Sequence, residues 1–333
     1  MDPELVRLSK ALKGFAVNQI VASAVRLEIP SLVQESDKSK HELVDATGIP
    51  WERLAPVMAV LVDLGIVERA DTTGFTKTSA TRFLTRETGS LYGQALLSAD
   101  MYYKVWANLD HSLRTGDSGF IDLFGVSMWN YLAEHEAESQ HFSRTMSASS
   151  QEVAEDVIES YPFPTEGKVV DIGAGDGSFL VSLLERRPSQ TGVGLELPTQ
   201  AGRLQDTVDA HELRERCSVV IGDMFTDVPG DGDLYMFKGV LHNWDDGHLE
   251  PMLKKLHSTL KPGAKVLIVE RSISQTEEMN MYGAINTLTM TLLFGSSDRT
   301  VDGYRSLLTR CGFNTISFRA GRSGLDLIEG IKQ

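Results

Sequence analysis

A histidine and two carboxylates carry the clearest catalytic signal in the chain. His242 follows the apolar run Leu234-Tyr235-Met236-Phe237-Lys238-Gly239-Val240, within Leu241-His242-Asn243-Trp244-Asp245-Asp246. Glu270 closes the next apolar run, Val266-Leu267-Ile268-Val269-Glu270, and Asp298 lies in Ser296-Ser297-Asp298-Arg299-Thr300, ahead of a helical pattern. A carboxylate hydrogen-bonded to an imidazole fixes its tautomer and stabilises its cationic form, which is what a general base requires. An isolated histidine is more often structural; acids at the ends of neighbouring elements are what single out His242.

The group beside which such a base would work is indicated upstream. In Lys168-Val169-Val170-Asp171-Ile172-Gly173-Ala174-Gly175-Asp176-Gly177-Ser178, a β-branched run ends in an acid and meets three glycines at alternate positions before a helical apolar pattern begins. That order reads as strand, tight turn and helix, the opening of a nucleotide-binding α/β unit. Gly173 and Gly175 let a ligand approach the backbone closely. Asp171 and Asp176 would repel a pyrophosphate but attract a cofactor bearing an ammonium and a sulfonium, so S-adenosylmethionine is favoured over a nicotinamide dinucleotide. The spacing Gly-x-Gly-x-Gly also departs from the dinucleotide Gly-x-Gly-x-x-Gly. Glu196 follows the first glycine at about the twenty-residue interval at which a carboxylate binds a ribose diol. Asp223, in Asp223-Met224-Phe225, is positioned to accept from an exocyclic amine while Met224 packs on an adenine face.

These residues need a sheet edge to gather them. Apolar runs at 168–172, 191–196, 218–223, 234–240 and 266–270 alternate with helical segments and suit a buried parallel sheet, whose ligands bind at the carboxyl ends of the strands. Segments 314–319 and 325–331 flank Gly321-Arg322-Ser323-Gly324 and predict a terminal hairpin, so an antiparallel strand joins an otherwise parallel sheet. Tyr161-Pro162-Phe163-Pro164 marks the entry to this domain.

Earlier in the chain, apolar spacing predicts one helix from Glu4 to Leu27, ended at Pro30, then helices over 40–47 and 51–64. A hairpin with Asp71-Thr72-Thr73-Gly74 at its tip follows. Helix, helix, hairpin is a winged-helix arrangement, which suggests DNA binding. The would-be recognition helix, however, carries Arg53 against Glu52 and Asp63 and is otherwise apolar, whereas reading bases and phosphates takes several polar or cationic side chains. The chain therefore divides into a packing and dimerisation domain over 1–90, a helical linker and substrate-pocket segment over 91–160, and a cofactor-binding catalytic domain over 161–333. In the linker, Phe142 and Met146 lie four apart on one helix face, available to wall a pocket for a flat substrate.

The 333 residues can bury a sizeable core, and a net charge of −14 opposes nucleic-acid or anionic-membrane binding. The start Met1-Asp2-Pro3-Glu4 lacks the pattern of a signal peptide, no run reaches transmembrane length, and Cys217 and Cys311 read as reduced core thiols, so a cytoplasmic protein is expected. No metal-ligand set is read.

Taken in order, Val170 to Gly177, Leu195-Glu196-Leu197-Pro198, Gly222-Asp223-Met224-Phe225, Leu241 to Asp246 and Asp298-Arg299-Thr300 resemble the motifs of the S-adenosylmethionine-dependent small-molecule O-methyltransferases. That group contains plant phenylpropanoid and bacterial antibiotic-tailoring enzymes, and the resemblance covers essentially the whole chain. It implies a Rossmann-like class I methyltransferase domain and an intertwined homodimer formed through the winged-helix domain. It also implies a cofactor held by Gly173, Glu196, Asp223, Met224 and Lys238, to which the residue chemistry adds Asp171, Gly175 and Phe225. His242 becomes the base, assisted by Glu270 and Asp298, and Phe142, Met146, Asn243, Trp244 and Met290 are expected at the acceptor. Two positions depart from the pattern: Asn243 is usually Asp, and Asp298 is usually the longer Glu. The expected reaction is methylation of a hydroxyl on a planar aromatic or heteroaromatic secondary metabolite. The alternatives are a non-methylating tailoring reaction (hydroxylation, decarboxylation or a pericyclic step) and a DNA-binding regulator.

Overall fold

The structure, a computed structural model, describes residues 2–70, 74–87, 90–273 and 280–333. The chain forms two compact units, one of residues 1–104 and 135–148 and the other of residues 105–134 and 149–333.

In the first unit, Pro3–Leu12 and Gly14–Arg26 are separate helices broken at Lys13, where one continuous helix is expected from the sequence. Pro30 does not stop a helix. It stands in the first turn of the helix Ile29–Glu35, where its missing N–H costs nothing. The helix Lys40–Thr47 begins with a reciprocal capping box between Ser39 and Glu42 and ends at Gly48 in the left-handed conformation. The helix Trp51–Asp63 buries Leu54, Met58 and Leu61 and exposes Glu52, Arg53, Pro56, Ala59 and Asp63, so its open face carries one cation against two acids. Strands β1 (Lys38–Ser39), β2 (Val67–Arg69) and β3 (Gly74–Lys77) form a small antiparallel sheet in the order β1-β3-β2. β1, two residues long, was not foreseen; residues 71–73 of the expected hairpin tip lie outside the described residues.

The second unit contains a seven-stranded sheet. Its strands are β4 (Gly167–Ile172), β5 (Gln190–Glu196), β6 (Cys217–Ile221), β7 (Leu234–Lys238), β8 (Lys265–Glu270), β9 (Asn314–Ala320) and β10 (Asp326–Ile331), in the order β6-β5-β4-β7-β8-β10-β9. β4 to β8 are mutually parallel, while β10 runs antiparallel to both β8 and β9, which gives the class I methyltransferase sheet with its C-terminal hairpin. Val170, Ile172, Tyr235, Phe237, Val266 and Ile268 point to one face and Val169, Leu234, Met236, Leu267 and Val269 to the other, all nearly or fully buried. The strand order reverses beside β4, since β5 lies on one flank and β7 on the other, and such a switch point leaves a crevice at the carboxyl ends of the strands. Asp171, Glu196, Lys238 and Glu270 all stand at that edge.

Candidate functional site

Gly173, Gly175 and Gly177 hold φ of 71°, 61° and 79°, backbone angles at which side chains are strained. A Cβ at Gly173 would lie 2.8 Å from Val240 Cγ2, whereas at Gly175 it would enter open space. Asp176 stands just ahead of the helix Ser178–Arg186, its Oδ1 accepting from the backbone N–H of Ser178 at 3.1 Å and from its hydroxyl at 2.8 Å. Glu196 reaches back to the turn. Its Oε2 accepts from Gly175 N–H at 2.7 Å and its Oε1 from Leu197 N–H at 2.8 Å. Burial raises the Glu196 pKa, and those two amides oppose the rise.

Asp171 is 2% exposed, and its Oδ1 has no hydrogen-bond partner among the described residues. Burial pushes its carboxyl up to about 7, the Lys238 charge opposing and the Glu196 charge adding to the rise. The Lys238 ammonium donates instead to Ser150 Oγ at 2.8 Å, and burial lowers its pKa against the pull of Asp171, Asp176 and Glu270. An orphaned acidic oxygen beside an open glycine turn is a fit for a cationic ligand, which would supply the missing partner. At the neighbouring strand end, Asp223 Oδ1 accepts from Phe225 N–H at 2.9 Å, and Met224 and Phe225 lean on the core while remaining partly exposed.

His242 lies in the 3₁₀ turn Leu241–Asn243. Its Nδ1 is 3.2 Å from Asp298 Oδ1, with side chains 21% and 3% exposed respectively, so the shorter carboxylate reaches the ring. Asp298 Oδ2 accepts from the Thr287 hydroxyl at 3.3 Å. Burial lowers the imidazole pKa, but the Glu270 charge together with the Asp298 hydrogen bond outweighs it, and the net direction is upward. Glu270 bonds the turn through its main chain: Oε1 accepts from the amides of Val240 at 2.9 Å, Leu241 at 2.5 Å and His242 at 3.3 Å. Its Oε2 accepts from the hydroxyl of Tyr304, which is buried.

The residues expected at the acceptor are distributed differently. Asn243 donates weakly to Gly239 O at 3.5 Å. Met290 lies one turn from Thr287 on the helix Met281–Phe294 and is partly buried. Trp244 packs edge-to-face on Phe225 at 4.8 Å and tilted on His248 at 5.6 Å, so an expected acceptor residue adjoins an expected cofactor residue. Phe142 and Met146 belong to the first unit, where Met146 is 42% exposed. Tyr304, Ser296 and Arg299 also bond the turn or its acid, and the sequence signal for the last two is the motif that contains Asp298.

The chain is similar to known proteins in sequence and in fold. Residues 106–314 match the family described as O-methyltransferase domain. The chain is 30% identical over 323 residues to the phenazine O-methyltransferase PhzM of Lysobacter antibioticus, covering 97% of this chain and 94% of that one. It is also 30% identical over 330 residues to the O-demethylpuromycin-O-methyltransferase of Streptomyces alboniger, covering 97% and 88%. The crystal structure of LaPhzM superposes with a TM-score of 0.94 at 29% identity over 100% of both chains.

Proposed function

The chain belongs to the S-adenosylmethionine-dependent small-molecule O-methyltransferases, and on that premise we propose that it methylates a hydroxyl group of a planar aromatic or heteroaromatic secondary metabolite. The observation that carries this reading is the buried contact of His242 Nδ1 with Asp298. A proton held on Nδ1 leaves Nε2 as the basic nitrogen. His242 takes the acceptor's hydroxyl proton there, and Asp298 and Glu270 stabilise the resulting imidazolium. When bound, S-adenosylmethionine supplies an electrophilic methyl group on a cationic sulfur.

The cofactor's ribose diol is assigned to Glu196, its adenine to Asp223, Met224 and Phe225, and its charged amino-acid end to Asp171, Gly173, Gly175 and Lys238. Asn243, Trp244, Met290, Phe142 and Met146 are the acceptor candidates. The relatives' names, phenazine and demethylpuromycin O-methyltransferases, support an aromatic acceptor.

Residues 1–90 serve as the dimerisation domain, 91–160 as the linker that contributes to the acceptor pocket, and 161–333 as the catalytic domain of a cytoplasmic homodimer. Among the described residues, no helix is long and apolar enough to cross a membrane. The N-terminal helices leave Leu5, Leu8, Leu12 and Phe15 between 53% and 77% exposed, apolar surface of the kind a second copy covers. Sedimentation is expected to show a dimer that Leu8→Glu dissociates; a wild-type monomer contradicts it.

The test of function is mass analysis of a panel of phenols and hydroxylated heteroaromatics incubated with enzyme and cofactor. A gain of one CH2 matched by formation of S-adenosylhomocysteine is expected, and it should be lost in His242→Ala while cofactor binding persists. Acceptor conversion without that gain overturns the reading.

A further inference from the structure

The three-residue turn that carries His242 makes two main-chain bonds across itself, Asn243 N–H to Val240 O at 3.2 Å and Trp244 N–H to Leu241 O at 3.1 Å, and side chains from elsewhere supply its further main-chain bonds. Glu270 takes the amides of residues 240, 241 and 242. The carbonyls are taken by a different segment. Ser296 Oγ donates to His242 O at 2.6 Å, Arg299 Nη1 to Leu241 O at 3.2 Å and Arg299 Nη2 to Trp244 O at 2.6 Å. The guanidinium is also anchored on Asp246 Oδ1, from Nε at 3.0 Å and Nη2 at 2.9 Å, and its side chain is only 12% exposed. Asp298, the acid that meets the imidazole, lies between these two residues in the same segment. The partner of the ring and the partners of the backbone therefore move together.

We propose that Ser296 and Arg299 are positioning residues for His242, clamping the carbonyls of residues 241, 242 and 244 so that the imidazole stays against Asp298. The assignment rests on His242 being the base. Arg299 serves here through its shape more than its charge, because a planar fork reaches two carbonyls and a carboxylate at once and a lysine ammonium does not. Ser296 contributes one uncharged donor, so its removal alters geometry without altering the local charge.

Among the described residues, the charged and titratable groups that face the imidazole or its clamp include Glu270, Asp298, Arg299, Asp246, Tyr304 and, on Asp246, Arg310. Glu270 and Asp298 both favour the protonated ring, and burial disfavours it. A ring that slips away from its acids, still buried, must titrate lower.

The experiment is an NMR titration of the histidine rings in cofactor-free protein, with the His242 signal assigned through His242→Gln, alongside calorimetry with S-adenosylhomocysteine. The His242 midpoint should fall by about one pH unit in Arg299→Lys and by less in Ser296→Ala. Affinity for S-adenosylhomocysteine should stay within about twofold of wild type. If Arg299→Lys does not fold, Ser296→Ala decides alone. An unchanged His242 midpoint, or a parallel loss of S-adenosylhomocysteine affinity, overturns the proposal. Neither readout uses turnover, so an error in the base assignment would show separately, as full activity in His242→Ala.

Discussion

Tyr304, buried on the helix Val301–Arg310, donates its hydroxyl to Oε2 of Glu270, which leaves the other oxygen to collect the amides of the turn that carries His242. Burial and the Glu270 charge push the phenol's pKa well above its ordinary value, so it remains a donor. Tyr304→Phe keeps the ring and deletes the donor. A buried hydrogen bond to a charged group is worth about 1.5–3 kcal/mol, and urea unfolding should show a loss of that order. Glu270→Ala should cost more, since it strips a shared partner from three consecutive amides. Wild-type stability in Tyr304→Phe would deny the bond any structural part.

His242 must be neutral to accept a proton, and its pKa is raised in the fold. The acid limb of kcat/KM is therefore expected above the ordinary imidazole value of about 6.5. Asp298→Asn should move that limb to lower pH and reduce kcat by about a hundredfold or more, since it weakens the base as well as freeing the ring. The stability side has the opposite slope. The folded ring holds its proton more tightly than the unfolded one, so its contribution is complete below about 6.5 and is lost as pH rises through the folded value. A limb that stays in place in Asp298→Asn would count against the contact.

On the proposed assignment of Asp171 to the cofactor, binding is expected to depend on pH. With its carboxyl pushed up to about 7, much of it is protonated in the empty protein near neutrality. A cationic ligand favours the carboxylate, so affinity for S-adenosylmethionine should rise between pH 6 and pH 8 with release of a proton, measurable by calorimetry in buffers of different ionisation enthalpy. Unfolded aspartate ionises near 3.9, and the buried acid therefore costs the fold progressively as pH climbs from about 4 to 7. Asp171→Asn should accordingly melt higher at pH 8 and bind cofactor more weakly, with the pH dependence gone. Equal wild-type affinity at pH 6 and pH 8 would exclude this role.

Sequence legibility followed how local each cause was. β4, β7 and β8 stand out because both faces of each strand are buried along most of its length, which writes apolar runs into the chain, whereas the edge strand β6 leaves Ser218 and Ile221 exposed. The glycine turn and Glu196 announce themselves through spacing, and Gly175 N–H does meet Glu196. What stayed hidden depends on partners far apart in the chain. Glu270 bonds backbone amides about thirty residues away, which its identity as a strand-end acid does not reveal. Trp244 turns toward Phe225 through packing that no local pattern encodes. Lys13 and Pro30 mislead because an apolar period continues across a break in one case, and a proline starts a helix instead of ending one in the other.

Two glycines of one turn should separate fold from function. At Gly177 an added Cβ would lie 2.3 Å from Cδ1 of the fully buried Leu204, and the residue holds φ of 79°. Gly177→Ala combines overpacking with left-handed strain and should cost the fold about 2–4 kcal/mol. Gly175 has a similar φ of 61°, but its Cβ would meet nothing within 4 Å. Gly175→Ala should therefore cost only the left-handed penalty, about 1–2 kcal/mol, in denaturant unfolding. Its methyl nevertheless projects into the open space above the turn that a cofactor backed by Glu196 and Asp171 would occupy. Calorimetry with S-adenosylhomocysteine should show Gly175→Ala losing affinity by tenfold or more, out of proportion to its small loss of stability. Unaltered affinity in Gly175→Ala would move the cofactor off this turn and with it the premise that His242 works beside a methyl donor.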